Sequence, residues 1–248
     1  MQYSRALVIE PRRRGVLDTP LSRSMTVNNV AACRDLANTM ILIGQYDSPF
    51  VRRVAIALRL YGLPFEHRPW STFGDADKIA PHNPLRRVPT LLLDDGEALI
   101  ESAAMLDYLD ELVGPDRAMI ADSGPQRRHA LKVCALGSGL ADKAVSLIYE
   151  RVLRKDQLQL WVERCEAQIG GVLTALEQQR AAIAMPYWFG KRIGHADIMV
   201  ACALRFTSEA HPGLFDDARY PALSVHAAAC EALPPFCEIV QKLDPPKR

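Results

Sequence analysis

The six cysteines of this 248-residue chain form no CxxC pair, and neither they nor the six histidines show metal-ligand spacing. Each cysteine (33, 134, 165, 202, 230 and 237) stands alone. Cys165 and Cys202 fall in apolar helical patterns, so buried reduced thiols in a cytoplasmic protein are expected, and no metal. Also missing is any run of the roughly 18 apolar residues that span a membrane, so no membrane partner is expected. Net charge is scarce: 30 Lys and Arg against 29 Asp and Glu leave +1, which removes any general argument for nucleic acid. What is present is ordinary globular material, 49% hydrophobic and 24% charged, with a mean hydropathy of -0.04. That supports a sizeable core, two domains by length, and a small molecule or another protein as partner.

Charge is unevenly placed. Residues 1–39 carry six arginines against Glu10, Asp18 and Asp35, a net +3, and the remainder is -2. This leader lacks periodicity, and its longest apolar run, Ala6 to Ile9, is too short for a signal-peptide core. It reads as an extension that adds nothing to the fold, with Met40 an alternative start. A nucleic-acid role for Arg12 to Arg14 is an alternative reading of this leader.

From Met40 the punctuation is regular. Met40 to Ile43 is a short strand. Asp47-Ser48-Pro49 then opens a helix whose apolar positions are Val51, Val54, Ala55 and Leu58, with Arg52, Arg53 and Arg59 elsewhere on the wheel. Gly62-Leu63-Pro64 ends it, and Phe65 to Arg68 is a second strand. Pro81 and Pro84 limit residues 71–87 to a turn or two of helix. Asp94-Asp95-Gly96, between Thr90-Leu-Leu-Leu and Ala98-Leu-Ile, is a strong hairpin signal. A helix then begins at Glu101-Ser102, with Met105, Leu106, Leu109 and Leu112 on its apolar face. These elements suggest a parallel βαβ unit extended by an antiparallel hairpin. Residues 114–124 read as a linker, and the chain beyond it is helical. Its features are a stripe of Trp161, Cys165, Ile169, Val172, Leu173 and Leu176, and a last helix from Tyr220-Pro221 to Pro234-Pro235. The expected organisation is an extension at 1–39, an α/β domain at 40–113, the linker at 114–124 and an all-helical domain at 125–242.

Five stretches, in order, resemble the glutathione S-transferase family. Asp47-Ser-Pro-Phe-Val-Arg-Arg-Val54 resembles its serine-type active-site turn, most like the tau class and related bacterial members. Asn83-Pro-Leu-Arg-Arg-Val-Pro-Thr-Leu91 is similar to the segment in which a Lys precedes Val/Ile-Pro. Glu101-Ser102 with Tyr108-Leu-Asp-Glu111 resembles the family's next helix start, and Ile193-Gly-His-Ala-Asp-Ile198 the capping motif of the helical domain. Tyr220-Pro-Ala-Leu223 is like the start of the family's final helix.

The resemblance covers essentially all of residues 40–240. It implies a thioredoxin-like first domain, an all-helical second domain, a homodimer, and glutathione as co-substrate beside a small hydrophobic electrophile. By the same resemblance Ser48 is the catalytic donor, Tyr46 its rival, and Val88-Pro89 a cis-proline pair whose preceding backbone binds glutathione. Arg87, with Arg86 as alternative, would meet the glycyl carboxylate, and Glu101 and Ser102 the γ-glutamyl end. His82 is a weaker neighbour.

Each placement has a physical reason. A hydroxyl donor and a helix N-terminus both favour thiolate over thiol, and Arg offers a carboxylate a two-pronged contact. An acid followed by Ser at a helix start suits an ammonium and a carboxylate side by side. Without a cysteine at position 48, mixed-disulfide chemistry is not expected.

The chain departs from the family in Gly194, where relatives cap with Ser or Thr, and in His226, where they often carry Trp. Tyr149, Trp161 and Trp188 are aromatic candidates for the electrophile's wall, but core packing is the leading reading for each. Detoxifying conjugation leads. Glutathione-dependent peroxide reduction or isomerisation, or a non-catalytic glutathione-binding or regulatory module, are the alternatives.

Overall fold

A computed structural model describes residues 39–246. The expectations about the arginine-rich leader, its nucleic-acid role and Cys33 lie outside the described residues. Strand β1, Met40–Ile43, pairs in parallel with β2, Phe65–Arg68, and antiparallel with β3, Thr90–Leu92. β4, Ala98–Ile100, returns antiparallel along β3, giving the sheet order β2-β1-β3-β4. The Asp94-Asp95-Gly96 turn closes with the Gly96 N–H donating to Leu93 at 3.1 Å and the Leu93 N–H to Glu97 at 2.8 Å.

Helix α1, Pro49–Tyr61, joins β1 to β2, with Ser48 as its N-cap, Pro49 in the first turn and left-handed Gly62 at its end. Val51, Val54, Ala55 and Leu58 are fully buried, as their spacing predicts. Arg52 and Arg53, expected off that face, are buried as well. The physical reason is that α1 is sandwiched. It packs on α3, Ser102–Val113, and on α6, His195–Ala210, while the chain's end covers a further side. The short α2, Ala76–Ile79, is all the helix that the two prolines leave in that segment. In α3, Met105, Leu106 and Leu109 are buried, whereas Leu112, in the last turn, is 49% exposed because none of the described elements covers it.

The helical half consists of α4, Gly124–Leu153; α5, Gln159–Ala181; α6; α7, Pro221–Glu231; and α8, Pro234–Glu238. Cys165, Ile169, Leu173 and Leu176 form the buried stripe of α5, with Trp161 and Val172 partly buried beside it. The sequence suggests that Pro234-Pro235 stops the last helix. Instead α7 ends at Glu231 and the prolines open α8, where a missing N–H costs nothing.

Helix α6 holds the halves together. Met199, Val200, Ala203 and Leu204 enter the helical core, while Ile198, Ala201 and Cys202 enter the core beneath the sheet. At its start the Asp197 carboxylate accepts the N–H of Gly194 at 2.9 Å and of Trp188 at 2.8 Å. A Cβ on Gly194 would lie 2.9 Å from the Met119 carbonyl oxygen, which accounts for glycine replacing the usual capping hydroxyl. The five described cysteines are free, three of them buried. No described helix is long and apolar enough to cross a membrane.

Candidate functional site

Three sequence elements meet beside the start of α1. The first is the loop 44–48. Gly44 has a φ of 132° and almost no room, since a Cβ there would lie 2.5 Å from Val51 and 2.8 Å from Val88. Glycine therefore lets the 44–48 turn and the Val88 loop touch. Ser48 is half-buried, and its Oγ accepts the Val51 N–H at 3.4 Å. With a lone pair used for the cap, the hydroxyl proton remains available for donation.

The second element is the 83–90 loop, which the buried Asn83 organises. Its amide donates to the Arg87 carbonyl at 2.9 Å and to Thr90 Oγ1 at 3.1 Å, and its oxygen accepts the Leu85 N–H at 3.0 Å. Val88-Pro89 is cis. Among the described residues no loop or turn hydrogen bond takes the Val88 N–H or C=O, so that residue can pair with an extended peptide. Arg87 projects to Glu101 Oε1 at 3.6 Å, whereas Arg86 turns away to Asp77 at 3.3 Å.

The start of α3 is the third. Glu101 holds a left-handed φ of 66°, exposed. Ser102 is 3% exposed and makes no side-chain cap; its Oγ accepts from Arg53 Nη2 at 2.6 Å. Sequence reasoning missed Arg53, whose other Nη donates to Met199 Sδ at 3.0 Å. Burial pulls its pKa down from the usual value, though a guanidinium stays charged.

A cavity of about 280 Å³ opens at Ser48, its lining including Arg87 and Val88 as well as Phe50, Phe73 and Tyr149. Glu101 and Ser102 lie outside its lining, Glu101 linked to it through the Arg87 pair. Tyr46 is not part of the wall: its ring stacks on His67 at 3.8 Å, and burial pushes its phenol up to about 12, with Glu238 adding to this against Arg59. His82 likewise faces elsewhere, toward Trp70 at 6.3 Å. Trp188 is core, and Trp161 is partly buried under Lys143. The wall also includes residues 243–246, a return of the chain's end that no local signal in the sequence announces.

This geometry has counterparts among known proteins. Residues 42–117 match the glutathione S-transferase N-terminal domain and residues 159–229 the C-terminal domain. The chain is 32% identical over 171 residues to maleylacetoacetate isomerase of Pseudomonas aeruginosa, covering 64% of this chain and 77% of that one. It is 31% identical over 112 residues to the uncharacterized GST-like protein YibF of Escherichia coli, the match spanning 45% of this chain and about half, 55%, of that relative. A glutathione S-transferase of Methylobacterium radiotolerans, crystallised with glutathione sulfonate, superposes with a TM-score of 0.78 at 28% identity, over 85% of this chain and 98% of that one. The mixed four-stranded sheet, the helical half and both domain matches together place this chain in the glutathione S-transferase family.

Proposed function

We propose that the chain is a glutathione transferase in which Ser48 stabilises the thiolate of bound glutathione for attack on an electrophilic small molecule. The observation that carries this reading is Ser48 itself: half-buried at the cavity floor and the N-cap of α1, with its hydroxyl proton free to donate. Its hydrogen bond favours the ionised sulfur, and the helix N-terminus adds about 0.3–1 kcal/mol. Arg87 receives the glycyl carboxylate, Val88 pairs with the cysteinyl backbone, and Glu101 and Ser102 take the γ-glutamyl ammonium and carboxylate. The thiol proton leaves to solvent, and the sulfur's electron pair forms the new bond to the electrophile. On this reading residues 40–113 bind glutathione, 125–242 complete the second-substrate pocket across the linker 114–124, and the protein acts as a cytoplasmic homodimer in detoxification.

Isomerisation on the same thiolate is the second reading, favoured by the name of the Pseudomonas relative. The test is the absorbance of bound thiolate against pH, in wild type and Ser48→Ala. A bound-thiol pKa near about 7, returning toward the free value of about 8.5 in the variant, is expected. Binding with no shifted pKa, or no binding at all, overturns the transferase reading.

A further inference from the structure

Beyond Ser48, Arg87 and Val88, the rest of the cavity lining has a composition of its own. Phe50, Phe73, Tyr149 and Phe206 give it aromatic surface, and Phe73 meets Tyr149 edge-on at 5.2 Å and 87°, joining the loop before α2 to α4. Its charges are acidic apart from Arg87, whose field reaches Tyr149 against that of Asp47. Asp47, Asp142 and Asp244 line it, and the single lining cation, Arg87, is turned to Glu101. Asp142 is offset by Lys143 at 2.9 Å.

Asp47 and Asp244 have no such relief. The Asp244 N–H donates to Asp47 Oδ2 at 3.0 Å, which fixes the two residues side by side. Burial, and then the Asp244 charge, push the Asp47 carboxyl above its ordinary value, while backbone N–H bonds pull it back; no cation contributes. The segment leading to Asp244 is tied down twice. Gln241 Oε1 accepts the Tyr46 N–H at 3.0 Å, and the Leu243 N–H donates to Glu209 at 3.1 Å. This strap, residues 241–246, thus sets an acidic pair over the turn that bears Ser48.

We propose that this part of the cavity takes aromatic electrophiles that are uncharged or positively charged and turns away those bearing a carboxylate, with Asp47 and Asp244 setting the preference. The proposal rests on the transferase reading and adds the substrate class. Aromatic walls supply the affinity. An entering anion meets the half-buried Asp47 carboxylate, where like charges repel more strongly than in water, and the exposed Asp244 beside it. A cation gains from the same field.

The reaction suited to the test is aromatic substitution. The thiolate sulfur attacks the ring carbon bearing chlorine, a C–S bond forms from the sulfur's pair, and chloride leaves with the pair of the broken C–Cl bond. The full chain is assayed with a chloronitrobenzene, its ring-carboxylate analogue and its ring-trimethylammonium analogue. Each kcat/KM is divided by the uncatalysed rate with glutathione at the same pH. The carboxylate probe should fall about tenfold or more below the neutral one, and the cationic probe should match or exceed it. In Asp47→Asn combined with Asp244→Asn the spread should shrink to within about threefold. Asn at 47 keeps a carbonyl oxygen for the Asp244 N–H, and circular dichroism checks the fold. A carboxylate probe that equals the neutral one, or a double variant that keeps the spread, overturns the charge preference. If all three react at one normalised rate while bound thiol is ionised, only this proposal fails. If none reacts and the thiol stays un-ionised, the transferase reading fails with it.

Discussion

Arg53 brings a full positive charge into a site where no carboxylate pairs with it among the described residues, and its Nε finds no partner at all. What it does have is the Ser102 hydroxyl as an acceptor, which leaves that hydroxyl's proton pointing away to serve an incoming anion. On the proposed binding mode the γ-glutamyl carboxylate is that anion and Arg53 stands behind it. Arg53→Met should then have two opposite effects. Glutathione affinity, read by calorimetry, should fall about 10- to 100-fold, the value of one or two charge-assisted contacts. The melting temperature should hold or rise, because an uncompensated buried charge is removed. Unchanged affinity in a folded variant would refute the role. Gly44 makes a second residue-scale case: Gly44→Ala should cost about 2 kcal/mol or more, measured by urea unfolding, since both Val51 and Val88 stand in the way of a Cβ. A cost under about 0.5 kcal/mol would show that the two loops separate easily. Neither role was legible locally, because Arg53 reads as an ordinary polar helix position until Ser102, 49 residues on, is brought beneath it.

At the scale of the element, the start of α6 and the middle of α7 share a buried polar cluster. Arg180 donates its Nε–H to His226 Nδ1 at 3.3 Å, which leaves the imidazole proton on Nε2, 3.5 Å from Asp197. This is not an ion pair. Burial, with the Arg180 charge behind it, lowers His226 to about 4, and burial raises Asp197 to about 6 despite the N–H bonds it accepts. Their pH effects oppose each other. As pH falls from 6.5 to about 4 the unfolded chain takes up a proton at His226 that the folded one refuses, so stability is lost. As pH falls from about 6 to 3.8 the folded chain takes up a proton at Asp197 before the unfolded one does, so stability is gained. His226→Phe removes the first effect alone. Relative to wild type, its unfolding free energy should improve by about 3 kcal/mol between pH 7 and pH 4; parallel curves would contradict this. His226 thus brings a pH dependence to this cluster that a Trp at the same place could not. Regular elements were the legible part of the sequence: the cap at Ser48, the Asp-Asp-Gly hairpin and the α5 stripe are each specified by residues within one or two turns. The helix α8 was not, since Pro-Pro marks a helix start as readily as an end.

For the whole molecule, α6 sets the behaviour. Its consecutive residues alternate between the two cores, so neither half can lose its packing without uncovering apolar surface in the other. Unfolding should accordingly be a single transition, with fluorescence of Trp70 in the sheet half and of Trp161 and Trp188 in the helical half, followed in single-tryptophan variants, coinciding with circular dichroism. Two separated midpoints would show that the halves fold independently. The candidate site was half legible at this scale. Ser48, Arg87, Val88 and Pro89 announce themselves by motif. The rest of the wall was hidden because it is assembled by chain return, as in the bond between Tyr46 and Gln241 across 195 residues.

That return has a practical side. Pro245 and Pro246 stand in the cavity wall, so a polypeptide fused downstream starts from beside that cavity. On the proposed function, a purification handle fused at that end joins the surroundings of the second-substrate pocket. Rates measured with it describe the fusion, and a handle at the opposite end is the one to choose.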